Sequence, residues 1–165
     1  MARSEKTKQM DLKILIDDAT QDELKEIQQL FFDTVTYMCK KDYTAEQIKA
    51  WSSSINNKDK WTEKIITQYF LTAKVGTQIV GFGSLENNDY LDFLYVHKDF
   101  QGKGIAKKLL MYLEKKAEIN RKDKITSDVS LTAKPFFEKN GYKAVKEQTN
   151  KIGNVVVPNF KMIKS

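Results

Sequence analysis

The spacing of apolar residues along this chain changes partway. From Thr20 to about Cys39 they recur at helical intervals, so that Leu24, Ile27, Phe31, Val35 and Met38 fall on one face of a helix. Thr20-x-x-Glu23 just ahead has the form of a capping box, in which each side chain closes the other residue's free backbone N–H. A second box, Thr44-x-x-Gln47, predicts a shorter helix carrying Ile48, Trp51 and Ile55. Before these, "LKILID" alternates and predicts a first strand; after them, "SSSINNKDK" reads as a polar connector and "WTEKIIT" as a short helical turn. From Gln68 the spacing falls toward two. "QYFLTAKV" and "QIVGFGSLE" predict strands joined at "GTQ", and "DYLDFLYVH" a third after "NND". A helix from about Lys103 to Asn120, a strand "KITSDVS" and a short helix "TAKPFFEKN" follow. Asn140-Gly141 ends that helix, and "YKAVKEQTN" and "VVVPNFKMIK" predict two last strands about "KIGN". The class is α/β (α+β), a mixed sheet covered by helices.

Composition narrows the picture. Residues 1–10 are a polar tail, and residues 11–165 make a single domain, long enough to bury a core unaided. The single cysteine, Cys39, excludes an internal disulfide and a cysteine zinc cage, and the single histidine, His97, leaves too few nitrogens for a histidine site, so no metal is expected. No stretch approaches the roughly 18 apolar residues of a membrane span and no signal-like run opens the chain, so a cytoplasmic protein without a membrane partner is expected. The net charge of +6 raises the question of a nucleic-acid partner. Arginine, which reads phosphates and base edges best, stands only at Arg3 and Arg121, so a lysine-rich solvated surface is the expectation and a basic nucleic-acid-binding domain the lesser alternative.

Where "LYV" hands over to a helix, in "LYVHKDFQGKGIAKKLL" from Leu94 to Leu110, Gly102 and Gly104 stand two apart. Glycine there permits unusual backbone angles and close approach, and a helix start offers unpaired N–H groups with a partial positive charge. The stretch predicts a seat for an anion. A dinucleotide fingerprint would need a third glycine where Lys107 stands, and a nucleoside-triphosphate loop would need a hydroxyl and a longer gap.

The wider pattern is more specific. Gln101-Gly102-Lys103-Gly104-Ile105-Ala106 resembles the Gln/Arg-x-x-Gly-x-Gly/Ala loop of the GCN-five-related N-acetyltransferases (GNAT), and "AKPFFEKNGY" is similar to that family's Ala-x-x-Phe-Tyr segment. The order of elements also resembles the family's: strand, two helices, three strands, helix, strand, helix, two strands. The resemblance runs from about residue 11 to the end, and is nearest to small bacterial members of unassigned acceptor. It implies a mostly antiparallel sheet of about seven strands flanked by about four helices, splayed between "LYV" and "KITSDVS". It implies acetyl-coenzyme A as co-substrate, held by the loop from Gln101 with its pyrophosphate on the amides of Gly102, Lys103, Gly104, Ile105, Ala106 and Lys107, added charge from Lys103, Lys107 and Lys108, and its pantetheine arm along Leu94, Tyr95 and Val96. The resemblance implies Ser130 as a further cofactor contact, although many members carry Asn there, and Phe136 and Phe137 as core or cofactor packing.

The chemistry has three requirements: loss of a proton from the amine, stabilisation of the thioester oxygen, and departure of the thiolate. For the first, Tyr90, Asp92, Leu94 and Val96 share a face by alternation; a buried Asp92 would act as base, with Glu86 the second candidate, or Asp92 is a structural or counter-charge group. For the second, the resemblance implies a backbone N–H near Leu94 or Val96. For the third, Phe137 holds the family's acidic-tyrosine position and cannot donate a proton, which leaves Tyr142, Tyr95, water or unassisted departure. Most of the aromatics on the first two helices read as core; the resemblance, in which this region walls the acceptor pocket, implies that Phe32, Tyr43 or Trp51 lines it. The expected function is acetyl-coenzyme A-dependent transfer to a primary amine of a small molecule or peptide by direct attack, in a monomer or homodimer; the alternative is a non-catalytic coenzyme A-binding sensor or interaction protein.

Overall fold

The computed structural model describes residues 12–165; the expected polar tail lies outside them. In chain order the elements are β1 (Leu15–Asp18), α1 (Leu24–Met38), α2 (Ala45–Ser52), α3 (Lys58–Thr67), β2 (Tyr69–Val75), β3 (Gln78–Glu86), β4 (Tyr90–Val96), α4 (Ile105–Ile119), β5 (Ile125–Ser130), α5 (Lys134–Lys139), β6 (Lys143–Ile152) and β7 (Val155–Lys164). Both capping boxes form. The Thr20 amide donates to Glu23 Oε1 at 2.9 Å. The Thr44 amide donates to Gln47 Oε1 at 2.9 Å while the Gln47 amide donates to Thr44 Oγ1 at 3.1 Å.

One expectation needs correction. "SSSINNKDK" is not a plain connector: it holds a short 3-10 turn, Ser53–Asn56, and the start of α3, a ten-residue helix. Asn57 caps that helix by accepting from the Lys60 amide at 3.2 Å. The helix buries only Trp61 and Ile65, a stripe too narrow to read as amphipathic periodicity.

The strands form one seven-stranded sheet in the order β1-β2-β3-β4-β5-β7-β6. Every neighbouring pair is antiparallel except β4 with β5. Helices cover both faces. On one, Ile105, Leu109, Leu110 and Leu113 of α4 pack with Leu85, Leu91, Val129 and Met162 of the sheet. Leu109 and Leu113 are wholly buried, which stabilises by about 2 kcal/mol each. Strand β3 carries Gly81 and Gly83 because α4 lies directly on it: a Cβ at Gly81 would stand 3.0 Å from Ile105 and 3.2 Å from Leu109, and one at Gly83 would stand 3.1 Å from Leu113.

On the other face α1 and α3 bury Ile27, Phe31, Val35 and Trp61 against Phe70, Phe82 and Phe93. Trp61 is stacked on Phe93 with ring centroids 4.7 Å apart and meets Phe31 edge-on at 5.0 Å. Such contacts add about 0.5–1.5 kcal/mol each beyond area burial. Among the described residues no helix is long and apolar enough to cross a membrane.

Candidate active site

The parallel pairing of β4 with β5 covers two positions only, Tyr90 with Thr126 and Leu91 with Ser127. Beyond them the strands part, as expected, and leave a fork in the sheet. A buried bond from Ser127 Oγ to the Leu91 carbonyl, 2.7 Å long, pins its base. From the bond His97 N–H makes to Val80 O, 2.8 Å, antiparallel alternation turns the N–H groups of Leu94 and Val96 away from β3 and toward the opening.

At the fork β4 carries a bulge. Ser84 pairs with Phe93 but the next residue, Leu85, pairs with Leu91, so Asp92 is the extra residue. The bulge corrects the expected alternation. Leu91, Leu94 and Val96 belong to the α4 core, while Phe93 and Tyr95 belong to the α1 and α3 core. Asp92 therefore does not share a face with Leu94 and Val96; it turns toward α3. There its Oδ2 accepts from Lys64 Nζ at 2.7 Å and from Gln68 Nε2 at 2.9 Å. The side chains of Lys64 and Asp92 keep 24% and 15% of their exposure, so this pair is only partly withdrawn from water.

A cleft of about 460 Å³ passes through the fork. From the α1 and α3 face it is walled by Phe31, Trp51 and Trp61, and from the α4 face by Leu94, Val129 and Phe137. Asp92, Tyr90, Asp128 and Ser130 open onto it, as do Lys60 and Lys64 of α3. Tyr43, between α1 and α2, also reaches it. Its hydroxyl donates to Pro158 O at 2.6 Å and accepts from the Leu131 amide at 2.9 Å, tying the helical cap to β7 and to the turn after β5. Burial pushes the Tyr43 phenol up to about 12.

The predicted loop leaves the far end of β4. Gly102 and Gly104 adopt φ of 73° and 80°, the left-handed region that glycine occupies at little cost, and a Cβ at either would meet nothing within 4 Å. Gly104 is the N-cap of α4 and brings no side chain to it. Lys108 is the first residue to close a helical bond, to Gly104 O at 3.0 Å, so the amides of Ile105, Ala106 and Lys107 have no protein partner among the described residues. Gln101 anchors the loop by donating to Val96 O at 2.7 Å. The space above the glycines and the unclaimed amides suit an anion with several oxygens. Lys103 and Lys107 are exposed beside it. Lys108 is not at this seat's disposal, because its ammonium donates to Ile14 O at 2.8 Å.

Other predicted residues fall elsewhere. Glu86 is exposed at the end of β3 and does not line the cleft. Tyr142 is buried, and its hydroxyl donates to Glu114 Oε2 at 3.0 Å, away from the cleft lining; burial, then the neighbouring Glu114, raises its phenol. Phe137 at the family's tyrosine position does line the cleft, and Phe136 packs into the α4 core. Ser130 accepts from the Ala133 amide at 3.1 Å, which shapes the turn into α5. Trp51 lines the cleft beside Tyr43, whereas Phe32 stays on the surface outside it. Tyr95 lies on the cleft among Phe31 and Phe82, at 5.1 and 5.4 Å, and burial raises its phenol. Sequence reading missed Lys64 and Gln68, which hold Asp92, and Asp128, which Tyr90 holds. Their signal was topological: Lys64 lies one turn beyond Lys60 on α3, and Asp128 is next to the last residue that pairs with β4.

The family model described as an acetyltransferase (GNAT) domain matches residues 39–163. An uncharacterized N-acetyltransferase of Escherichia coli K12, YafP, is 33% identical over 133 residues, 81% of this chain and 83% of that protein. A GCN5-related N-acetyltransferase from Rhodopseudomonas palustris superposes with a TM-score of 0.89 at 30% identity, over 92% of this chain and 94% of the other. The PaiA N-acetyltransferase of Thermoplasma acidophilum, solved with coenzyme A, gives 0.76 at 22% identity over 92% and 98%, a likeness of fold. A parallel pair that splays after two positions, a glycine loop at the helix beyond it, and relatives matched over most of their length agree: this chain is an N-acetyltransferase of the GNAT family.

Proposed function

We propose that the chain transfers the acetyl group of acetyl-coenzyme A to a primary amine that enters from the α1 and α3 side of the fork. The single observation that carries this reading is the fork itself: the unclaimed amides of Ile105, Ala106 and Lys107 lie beyond one end of β4, and the aromatic cleft lies along the strand before them. The pyrophosphate rests on those amides, with Lys103 and Lys107 adding screened surface charge. The pantetheine arm follows β4, where Leu94 and Val96 offer N–H groups to it and to the thioester oxygen as charge develops there. The coenzyme supplies the activated acetyl carbon. What the protein supplies is alignment of amine and thioester across the opening.

Asp92 serves in this reading as the counter-charge that fixes α3, through Lys64, against the bulged strand; its Oδ2 is already engaged by two donors. Phe137 closes the α4 side with a ring that has no proton to give, so the thiolate takes its proton from the attacking nitrogen. The protein acts in the cytoplasm as a monomer or homodimer on a small molecule or peptide amine, without metal or nucleic acid.

The test is a coenzyme A titration by thermal shift, with Gly104→Asp beside wild type. Wild type is expected to gain stability with ligand by mass action. The variant, with a carboxylate at the phosphate seat, is expected to stay folded and lose affinity about 100-fold, since each tenfold is about 1.4 kcal/mol. Equal responses would remove the loop from the coenzyme site. Thiol release with an amine panel then separates the transferase from a coenzyme A sensor, which would bind and never turn over.

A further inference from the structure

We infer that Asp128 receives the ammonium of the acceptor, so that the substrates of this site are alkylamines protonated at neutral pH rather than weakly basic aryl amines. The inference rests on the transferase reading above.

Parallel register places the residue. Leu91 and Ser127 are the last paired positions, so Asp92 and Asp128 are the next residues on the two prongs of the fork, one carboxylate on each. Both line the cleft. Their surroundings differ. Asp92 carries its own cation, Lys64, at 2.7 Å. Asp128 is exposed to the opening and makes no ion pair among the described residues. Lys161, opposite it on β7, is in register but not in salt-bridge contact.

Asp128 is nonetheless held still. Its Oδ2 accepts from the Tyr90 hydroxyl at 2.6 Å and its Oδ1 from Gln148 Nε2 at 2.8 Å. Gln148 is itself fixed by a 2.9 Å bond to Asn159, which also receives Asn150 Nδ2 at 2.7 Å. The phenol of Tyr90 is raised by burial and then by Asp128, so it stays a donor throughout the physiological range. Neutral donors thus orient a carboxylate at the mouth of an aromatic cleft, with no cation in direct contact with it among the described residues. An incoming ammonium supplies that contact, and the aromatic walls cover its apolar body.

The step balances. The bound ammonium gives one proton to water at the open side of the cleft. The neutral nitrogen keeps an N–H bond to Asp128, which turns its lone pair toward the fork. The C–N bond forms as the C–S bond breaks, and the second proton passes from nitrogen to the thiolate sulfur. Asp128 is a substrate-binding residue and Tyr90 its positioning residue.

The experiment compares phenethylammonium with aniline, an aromatic amine that is neutral at pH 7.5, as ligands and as acceptors of the coenzyme-saturated protein. In D128N, whose amide keeps the shape of the carboxylate, phenethylammonium affinity and kcat/KM are expected to fall about tenfold or more, mainly through KM. Y90F is expected to lose about threefold in the same direction. Aniline, whatever its affinity, is expected to behave alike in all three proteins. The inference is overturned if wild type fails to bind phenethylammonium, if D128N binds it as wild type does, or if D128N loses aniline equally. Coenzyme A is titrated on the same samples. A wild type that binds no coenzyme sinks the transferase reading, whereas intact coenzyme binding with no discrimination between the amines sinks only the role of Asp128.

Discussion

The two mouths of the fork are made of different material. At the α4 end the seat is main chain: three amides, two left-handed glycines, and no side chain that caps the helix. At the other end the cleft is built of side chains that converge from α1, α2, α3, β4, β5 and β7. A main-chain seat offers any anion the same geometry and depends little on neighbouring residue types. A side-chain wall depends on every contributor and can be respecified by changing a few. The difference teaches that, in the proposed transferase, the two mouths would respond differently to substitution: the first to changes of backbone geometry, the second to changes of side chain.

Three substitutions press on that contrast. The largest effect is expected from Trp61→Ala. Trp61 is 3% exposed, stacks on Phe93 and donates its indole N–H to Ser54 O at 3.0 Å, so its loss should cost about 3–5 kcal/mol of stability by denaturant unfolding. Below its melting transition the variant should still bind coenzyme A within about threefold of wild type, because only the side-chain mouth is damaged. Loss of coenzyme affinity in step with stability would show the two mouths to be one unit.

Next comes Lys103→Ala, read against Gly104→Asp. If the seat is main chain, removing an exposed lysine should weaken coenzyme binding only about threefold, and less at high salt, far short of the hundredfold expected at the glycine. Equal losses would make the seat a side-chain site after all.

Tyr43→Phe tests the pin between the helices and the sheet, on stability rather than on coenzyme binding. It leaves the Pro158 carbonyl and the Leu131 amide without their partner, at about 1–2 kcal/mol near neutral pH. The phenol also predicts a pH dependence. Its value in the fold, about 12, lies above its ordinary 10.0 because burial disfavours the charged form. Its contribution is therefore whole below about pH 10 and lost as pH rises from 10 toward 12. Cys39, pushed by burial from 9.0 to about 11, acts in the same direction over a slightly lower window. Unfolding at pH 8 and pH 11 should show wild type losing more stability than Tyr43→Phe; equal losses would detach the phenol from the alkaline limb.

The same contrast explains what could be read in the sequence. The glycine loop at the start of the α4 helix was legible because it is local: glycines at 102 and 104, an apolar strand before them and a helical stripe after them lie within one stretch. So was the splayed sheet, through the resemblance those residues carry. The cleft was legible in pieces. Tyr43 and Trp51 were placed on it by analogy, but Phe32, one residue past the buried Phe31, points outward. Asp92 was found and its face mistaken, because alternation presumes a regular ladder and the bulge that breaks it is decided by pairing with β3. The Lys64–Asp92 pair spans 28 residues and the Tyr90–Asp128 pair 38, separations at which local pattern carries no information.

One further consequence follows from the extra residue in β4. Leu91, Phe93, Leu94, Tyr95 and Val96 would alternate without a flaw between the two cores if Asp92 were excised. The sheet therefore carries this aspartate as a passenger: its apolar register is complete without it. A chain shortened by that single residue is expected to fold to the same architecture with a straighter β4, parting company with Lys64 and Gln68 but with neither hydrophobic layer. The carboxylate is thus an insertion into the strand's length rather than a replacement within its apolar pattern.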